Sequence, residues 1–179
     1  MSPPASSREV IIDAAEAVVV ESGARHMTLD AVAARAGVSK GGLLYHFPTK
    51  EALLRAMLER FTKQMDETRK QKSKGLKKGP RRGIKAFILS TAYRDPQKDQ
   101  IGSALLAAVA HDPKLLQPAR DDVRRRLTEF MQCGFDFKHA AIIIFATLGL
   151  VFSELLSLSP LSIKERNELV EELLRLAGE

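Results

Sequence analysis

The chain has 179 residues, of which 45% are hydrophobic and 28% charged. That balance supports a packed globular core and speaks against disorder, and the length allows one domain or two small ones. With no Trp and only 6% aromatic residues, the chain lacks the exposed rings that a stacking platform for single-stranded nucleic acid requires. The 28 Lys and Arg outnumber the 22 Asp and Glu to give a net charge of +6. Eight of those cations, however, fall in residues 69–82 (RKQKSKGLKKGPRR) with no acid among them, and elsewhere the acids are in slight excess. Residues 1–50 hold five basic and five acidic side chains. A high overall charge therefore carries no argument for nucleic-acid binding, and any such argument must come from a motif.

Cys133 is the only cysteine, so no intrachain disulfide can form and a reducing, cytoplasmic location is expected. Met1 to Arg8 contain no apolar stretch of the kind a signal peptide needs. The longest run without a formal charge, His139 to Ser153, is shorter than the roughly 20 residues that span a bilayer. No membrane association is expected.

Taken in chain order, the apolar residues follow a helical period throughout, and no alternating strand pattern is present. Ser6, followed three residues later by Glu9, reads as a capping box opening a first helix that buries Val10, Ile11, Ala14, Ala15, Val18 and Val19 and stops at Gly23. Thr28 caps a second helix reaching about Ala36, with Asp30 in its positive first turn. Gly37-Val38 turns the chain, Ser39 caps a third helix over Lys40–His46, and Pro48 ends it. Thr49 caps a fourth helix carrying Leu54, Met57, Leu58, Phe61 and Met65. The glycines and proline of 69–83 read as a frayed helix end and a solvated basic loop. Further helices are expected near 84–94, 100–111, 113–133 (kinked or split at Pro118), 137–158 and 163–177, the last opened by a capping box at Ser162 and Glu165. The fold class is all-α with about nine helices.

The segment Thr28 to Phe47, TLDAVAARAGVSKGGLLYHF, sets two short helices on either side of a tight turn. A small side chain at Ala33 lets the helices approach, Gly37 accepts the positive φ of the turn, and Val38 and Leu43 wedge between them. Such a unit presents the start of its second helix on the surface, where it can enter a major groove.

The residues Ala33, Ala36, Gly37, Val38, Ser39, Gly41, Leu43, His46, Phe47, Lys50, Glu51 and Leu53 resemble the signature of the tetracycline-repressor (TetR) family. The strong resemblance covers residues 8–58, and the rest is similar in length, helix count and an apolar C-terminal helix pair. It implies a helix-turn-helix domain over 1–48, a connecting helix over 49–72, the basic loop 73–83, and a ligand-binding and dimerisation domain over 84–179. It also implies a transcriptional regulator, by default a repressor, acting on double-stranded operator DNA. The expected DNA-binding residues are Thr28, Ser39, Lys40, Gly41, Gly42, Tyr45, His46 and Lys50, with Arg25 and His26 as weaker candidates. Lys40 is the one long donor at the start of the recognition helix and can reach guanine or a phosphate. Leu44 stands where many relatives have a tyrosine and cannot bind a phosphate.

One head reads too few base pairs for useful specificity, so a two-fold homodimer is expected. The apolar helix at 137–158 supplies the surface, and the resemblance implies a four-helix interface there. Ile143, Thr147, Leu150, Glu154, Leu161, Leu169, Leu173 and Leu176 are the interface candidates. For a small-molecule effector, expected to be largely apolar, the candidate lining residues are Phe61, Met65, Phe87, Tyr93, Leu106, Val109, Met131 and Phe135. No cofactor is expected. His111, Cys133 and His139 lack metal-ligand spacing, and four histidines with one cysteine and no glycine-rich phosphate loop make no catalytic set. The chain is therefore not expected to be an enzyme, and the alternative to a regulator is a helical ligand-binding bundle that does not touch DNA.

Overall fold

A computed structural model describes residues 6–23, 26–92, 96–109 and 113–178. Among these residues there are nine α-helices and no strand: α1 Ser7–Ser22, α2 Leu29–Ala36, α3 Lys40–His46, α4 Lys50–Lys74, α5 Arg82–Ala92, α6 Pro96–Val109, α7 Gln117–Gln132, α8 Phe137–Leu155 and α9 Ile163–Leu176. A single 3₁₀ turn, Pro113–Leu116, precedes α7. The break expected at Pro118 is thus present as a change of helix type just before it, which leaves the proline in the first turn of α7, where its missing N–H has no partner to lose.

Local chemistry sets most of the boundaries. The hydroxyls of Ser6, Thr28, Ser39 and Ser162 each accept a backbone N–H three residues on, as does the carboxylate of Asp136. At Ser162 the box is complete, because the Glu165 carboxylate also accepts the Ser162 N–H at 2.8 Å. At Ser6 the Glu9 carboxylate instead turns to Arg60 and Arg8. Gly37 closes α2 in the left-handed conformation (φ 66°, ψ 28°), its N–H reaching back to Ala33 and Ala34. The basic stretch is helical as far as Lys74, so the loop is shorter than its glycines and lysines indicate. Its far end is pinned by Arg82, whose Nε donates to the Ser73 carbonyl at 2.6 Å.

The chain divides into two compact units, residues 1–62 with 97–117, and 63–96 with 118–179. The first is built on α1–α3, the start of α4, and α6. Its core gathers Ile11, Ile12, Ala15 and Val19 of α1, Val32 and Ala33 of α2, Leu43 and Phe47, Leu53 and Met57 of α4, and Leu105 and Leu115. Arg60 bolts α4 to α1 through Glu16 (Nε–Oε1 2.9 Å), Asp13 and Glu9. The second unit packs α5, α8 and α9 together, with α7 alongside, around Ile84, Phe87, Ile88, Phe130, Ile143, Ile144, Leu150, Val170 and Leu173. By length (19 residues) and mean hydropathy (1.5), α8 could cross a membrane. Here it is the core helix of its unit, with Ala140, Ile143, Ile144, Thr147, Leu150 and Val151 turned inward.

Candidate nucleic-acid interface

The starts of α2 and α3 carry the polar candidates, and both rest on the buried core of the first unit. Val32, Ala33 and Leu43 are 0%, 4% and 0% exposed, so the α2–α3 pair is held rigidly while its opposite side faces solvent. Thr28 is exposed, and its hydroxyl accepts the Ala31 N–H at 3.1 Å, which leaves its own proton for a phosphate. Ser39 accepts from Gly42 N–H at 3.0 Å. Added to Gly41, a Cβ meets nothing within 4 Å, whereas on Gly42 it would press on Ser39 Oγ at 3.3 Å. Gly42 thus keeps the cap of α3 intact, and Gly41 leaves its backbone bare.

Tyr45 is 85% exposed, an unusual cost for a large ring unless a partner covers it. The His46 ring meets it edge-on at 5.2 Å and lies 6.4 Å from Phe47, so His46 sits between an outward and an inward ring. Phe47 is buried at 2% exposure with the Arg8 guanidinium over its ring, a core role. Leu44 is half-buried and adds no polar group. Lys50 opens α4 and is half-buried. His26 is drawn elsewhere: its Nδ1 donates to the Ser22 carbonyl at 2.9 Å and closes the end of α1. Arg25 lies outside the described residues.

The fold adds a contact that spacing in the sequence does not indicate. Lys40 is paired with Asp30 of α2, with Nζ 2.9 Å from Oδ1 and 3.2 Å from Oδ2. The ten-residue separation hides the pair from any helical i,i+4 rule, and only the folded turn brings the two helix starts together.

Residues 11–57 match the family of bacterial regulatory proteins known as tetR, and residues 81–178 match a tetracyclin repressor-like C-terminal domain. The chain belongs to the TetR family. Its N-terminal part is 44% identical over 52 residues to the uncharacterised HTH-type transcriptional regulator TtgW of Pseudomonas putida, a stretch covering 29% of this chain and 39% of that relative. A TetR-family member from Streptomyces coelicolor A3 superposes with a TM-score of 0.75 at 22% identity, covering 96% of this chain and 98% of its own. The multidrug binding protein EbrR, complexed with imidazole, gives 0.71 at 22% identity, with 94% and 88% coverage. SmeT complexed with triclosan gives 0.72 at 22%, with 94% and 90% coverage. At these identities the structural likenesses establish the fold.

In this TetR-family chain the effector candidates are dispersed. Phe61 and Leu106 belong to the first unit, and Met65, Phe87, Met131 and Phe135 to the second. Phe87 and Phe135 share one apolar cluster, whereas Met131 is 46% exposed. Tyr93 and the Val109 side chain lie outside the described residues. Beside Phe87 stands a charge cluster that the sequence reading does not anticipate. Arg126, 6% exposed, lies over the Phe87 ring at 4.8 Å and pairs with Asp122 at 2.6 Å and with Asp66 at 3.4 Å. Phe130 meets Phe87 edge-on at 5.9 Å.

The interface candidates also divide. Ile143, Thr147, Leu150 and Leu173 are between 1% and 5% exposed, enclosed by their own unit. Thr147 satisfies its hydroxyl on the Ile143 carbonyl at 2.6 Å. Glu154 pairs with Arg166 at 2.5 Å. Leu169 and Leu176 are packed against the same core, and Leu161 is 39% exposed. The large apolar side chains of α8 that do face solvent are Phe137, Ile142, Phe145 and Phe152, at 59%, 56%, 57% and 42%, continued by Leu156 and Leu158 beyond its end and by Ile163 at the start of α9.

Proposed function

We propose that this chain is a DNA-binding transcriptional repressor that acts as a homodimer on a near-palindromic operator and is released by a small, largely apolar ligand. The observation that carries the reading is the solvent-facing start of α3, where Ser39, Lys40, bare glycine backbone and an 85% exposed Tyr45 stand on a core holding them in place. Thr28 and Lys50 supply phosphate contacts at the starts of α2 and α4, and Lys40, Tyr45 and His46 face the groove.

The dimer forms through Ile142, Phe145 and Phe152 of α8 together with Leu156 and Leu161. These positions replace the buried Ile143, Thr147, Leu150 and Leu173, which are already committed to the core of the chain. The effector acts in the second unit near Phe87, with Arg126 as a polar anchor at the edge of an aromatic site. Because α4 is one helix shared by both units, it is the element through which ligand occupancy reaches the head. A ligand does this only by preferring the arrangement that binds DNA less well.

A mobility-shift titration with the DNA upstream of the protein's own gene tests the first part. Binding that is weakened in Lys40→Met and Tyr45→Ala supports it, and no binding by the intact protein rejects it. Imidazole and triclosan, bound by EbrR and SmeT respectively, head the panel of small molecules for the second part. Loss of operator affinity with any member supports ligand release, and unchanged affinity across the panel argues for a constitutive binder.

A further inference from the structure

We propose that Lys40 and Asp30 act as one unit that reads a G·C base pair in each operator half-site, and that Asp30 is a specificity-determining residue. This rests on the DNA-binding reading above. Lys40 is ion-paired across the turn with Asp30. The one long donor at the start of the recognition helix is held by a carboxylate from the neighbouring helix start, at 2.9 Å and 3.2 Å to its two oxygens, and both side chains are more than half exposed (61% and 68%).

The chemistry of the pair matches one base pair better than the others. An ammonium has three donors, and keeping one on Asp30 leaves two for DNA. The carboxylate has about four acceptor sites, so it too has capacity left. In the major groove a G·C pair presents the guanine O6 and N7 acceptors beside the cytosine N4–H donor. O6 and N4 are bonded to each other across the pair and so lie roughly 2.9 Å apart, the same spacing as Nζ and Oδ1. Lys40 can donate to O6 and N7 while Asp30 accepts from N4–H, and the ion pair is kept throughout. An A·T pair sets its N6–H donor between its two acceptors, adenine N7 and thymine O4, so Lys40 can reach only one acceptor beside Asp30 rather than two adjacent ones.

The same pairing limits binding elsewhere. A lone lysine at the tip of α3 would take any phosphate. With Asp30 beside it the local charge is cancelled, and the carboxylate repels a phosphate placed close by. Residues 1–50 are neutral overall, so no surplus cation in that sequence masks this effect.

The test is selection of duplexes from a randomised library by the full-length wild type, Asp30→Ala, Asp30→Asn, Lys40→Met and the double variant Asp30→Ala/Lys40→Met, followed by salt titrations on the selected duplex and on random-sequence DNA. Thermal melts check that each variant folds, and Asp30→Asn keeps the side-chain shape should alanine weaken α2. The wild type is expected to fix a G·C pair in each half-site. Both Asp30 variants should weaken the G·C preference at that position, bind random DNA several-fold more tightly, and steepen the salt slope by about 0.9 per head as Lys40 takes a phosphate. In the Lys40→Met background, Asp30→Ala should have no further effect. An unchanged base preference and slope in the Asp30 variants overturns this inference alone. Failure of the wild type to enrich any duplex overturns the DNA-binding reading together with it.

Discussion

If the proposed dimer forms through α8, replacing Phe145 with alanine should dissociate it and leave the fold intact. A phenylalanine buries roughly 150–250 Å² when fully covered, and Phe145 is 57% exposed in the single chain, so about 100 Å² of ring remains for a partner. At about 25 cal/mol per Å² this is roughly 2.5 kcal/mol per protomer. A two-fold interface counts the ring twice, giving about 5 kcal/mol and a dimer dissociation constant raised by between about 10³ and 10⁴. Ile142 and Phe152, at 56% and 42% exposure, lie on the same strip and should follow the same rule with smaller effects. Sedimentation velocity across nanomolar to micromolar protein reads the association directly, and circular dichroism follows unfolding under monomeric conditions. Ile143→Ala is the counterpart, because that side chain is 1% exposed inside its own unit. It should lower the stability of the monomer by about 2–5 kcal/mol. A Phe145→Ala protein that dimerises like wild type would refute the assignment of the exposed strip to the interface.

Gly37 holds φ 66° and has open space where a Cβ would stand, so Gly37→Ala should cost about 1 kcal/mol from backbone strain alone. Gly37→Asn should cost less, since asparagine tolerates that conformation, and denaturant melts distinguish the two. Arg126→Leu strips the guanidinium from Asp122 and Asp66 and should destabilise the protein by about 3 kcal/mol. Adding Asp122→Asn should recover part of that loss in the same melts, and no recovery would mean that lost packing on Phe87, rather than stranded charge, sets the cost. At the start of α8 the His139 amide, and then its ring, hold Asp136 below the usual carboxylate pKa. The stability that Asp136 contributes is therefore complete above the ordinary carboxylate range and falls away as pH drops through it toward the lowered value. An Asp136→Asn variant should show a flatter acid limb in thermal melts taken as a function of pH.

The head was readable because its signals are local. Ser, Thr and Gly at helix ends act within three or four residues, and Thr28, Gly37, Ser39 and Ser162 all cap or turn the chain where their chemistry requires it. Apolar spacing likewise places Val32, Ala33 and Leu43 inside. What sequence could not show is pairing across elements. Asp30 and Lys40 are ten residues apart, Asp66 and Arg126 sixty, and Arg60 gathers carboxylates from α1 more than forty residues away. Each residue looks like an ordinary solvated charge until the fold brings its partner to it. By its apolar spacing, the C-terminal half carries few charges at core positions. The buried Arg126 against Phe87 changes that, and gives any bound ligand a charged group to meet at the aromatic edge.

Helix α8 shows a different limit. Its residues are apolar on nearly every side, and a hydrophobic period can orient a helix only when one face is polar. Composition therefore nominates α8 for the proposed dimer interface but cannot say which residues a partner would meet. Packing against α5 and α9 makes that choice by enclosing Ile143, Thr147 and Leu150. Beyond the first turn, what remains outside is the series Ile142, Phe145, Gly149, Phe152 and Leu156, spaced alternately three and four residues apart. That is the narrow seam through which two helices pack knobs into holes. Gly149 lies in the middle of it with nothing within 4 Å of where a Cβ would stand, so a partner helix can come close there and let Phe145 and Phe152 pack on either side. Gly149→Leu should then weaken dimerisation without weakening the monomer, a combination that a role in the core would not produce. If sedimentation shows the Gly149→Leu dimer as tight as wild type, the seam lies elsewhere on the chain.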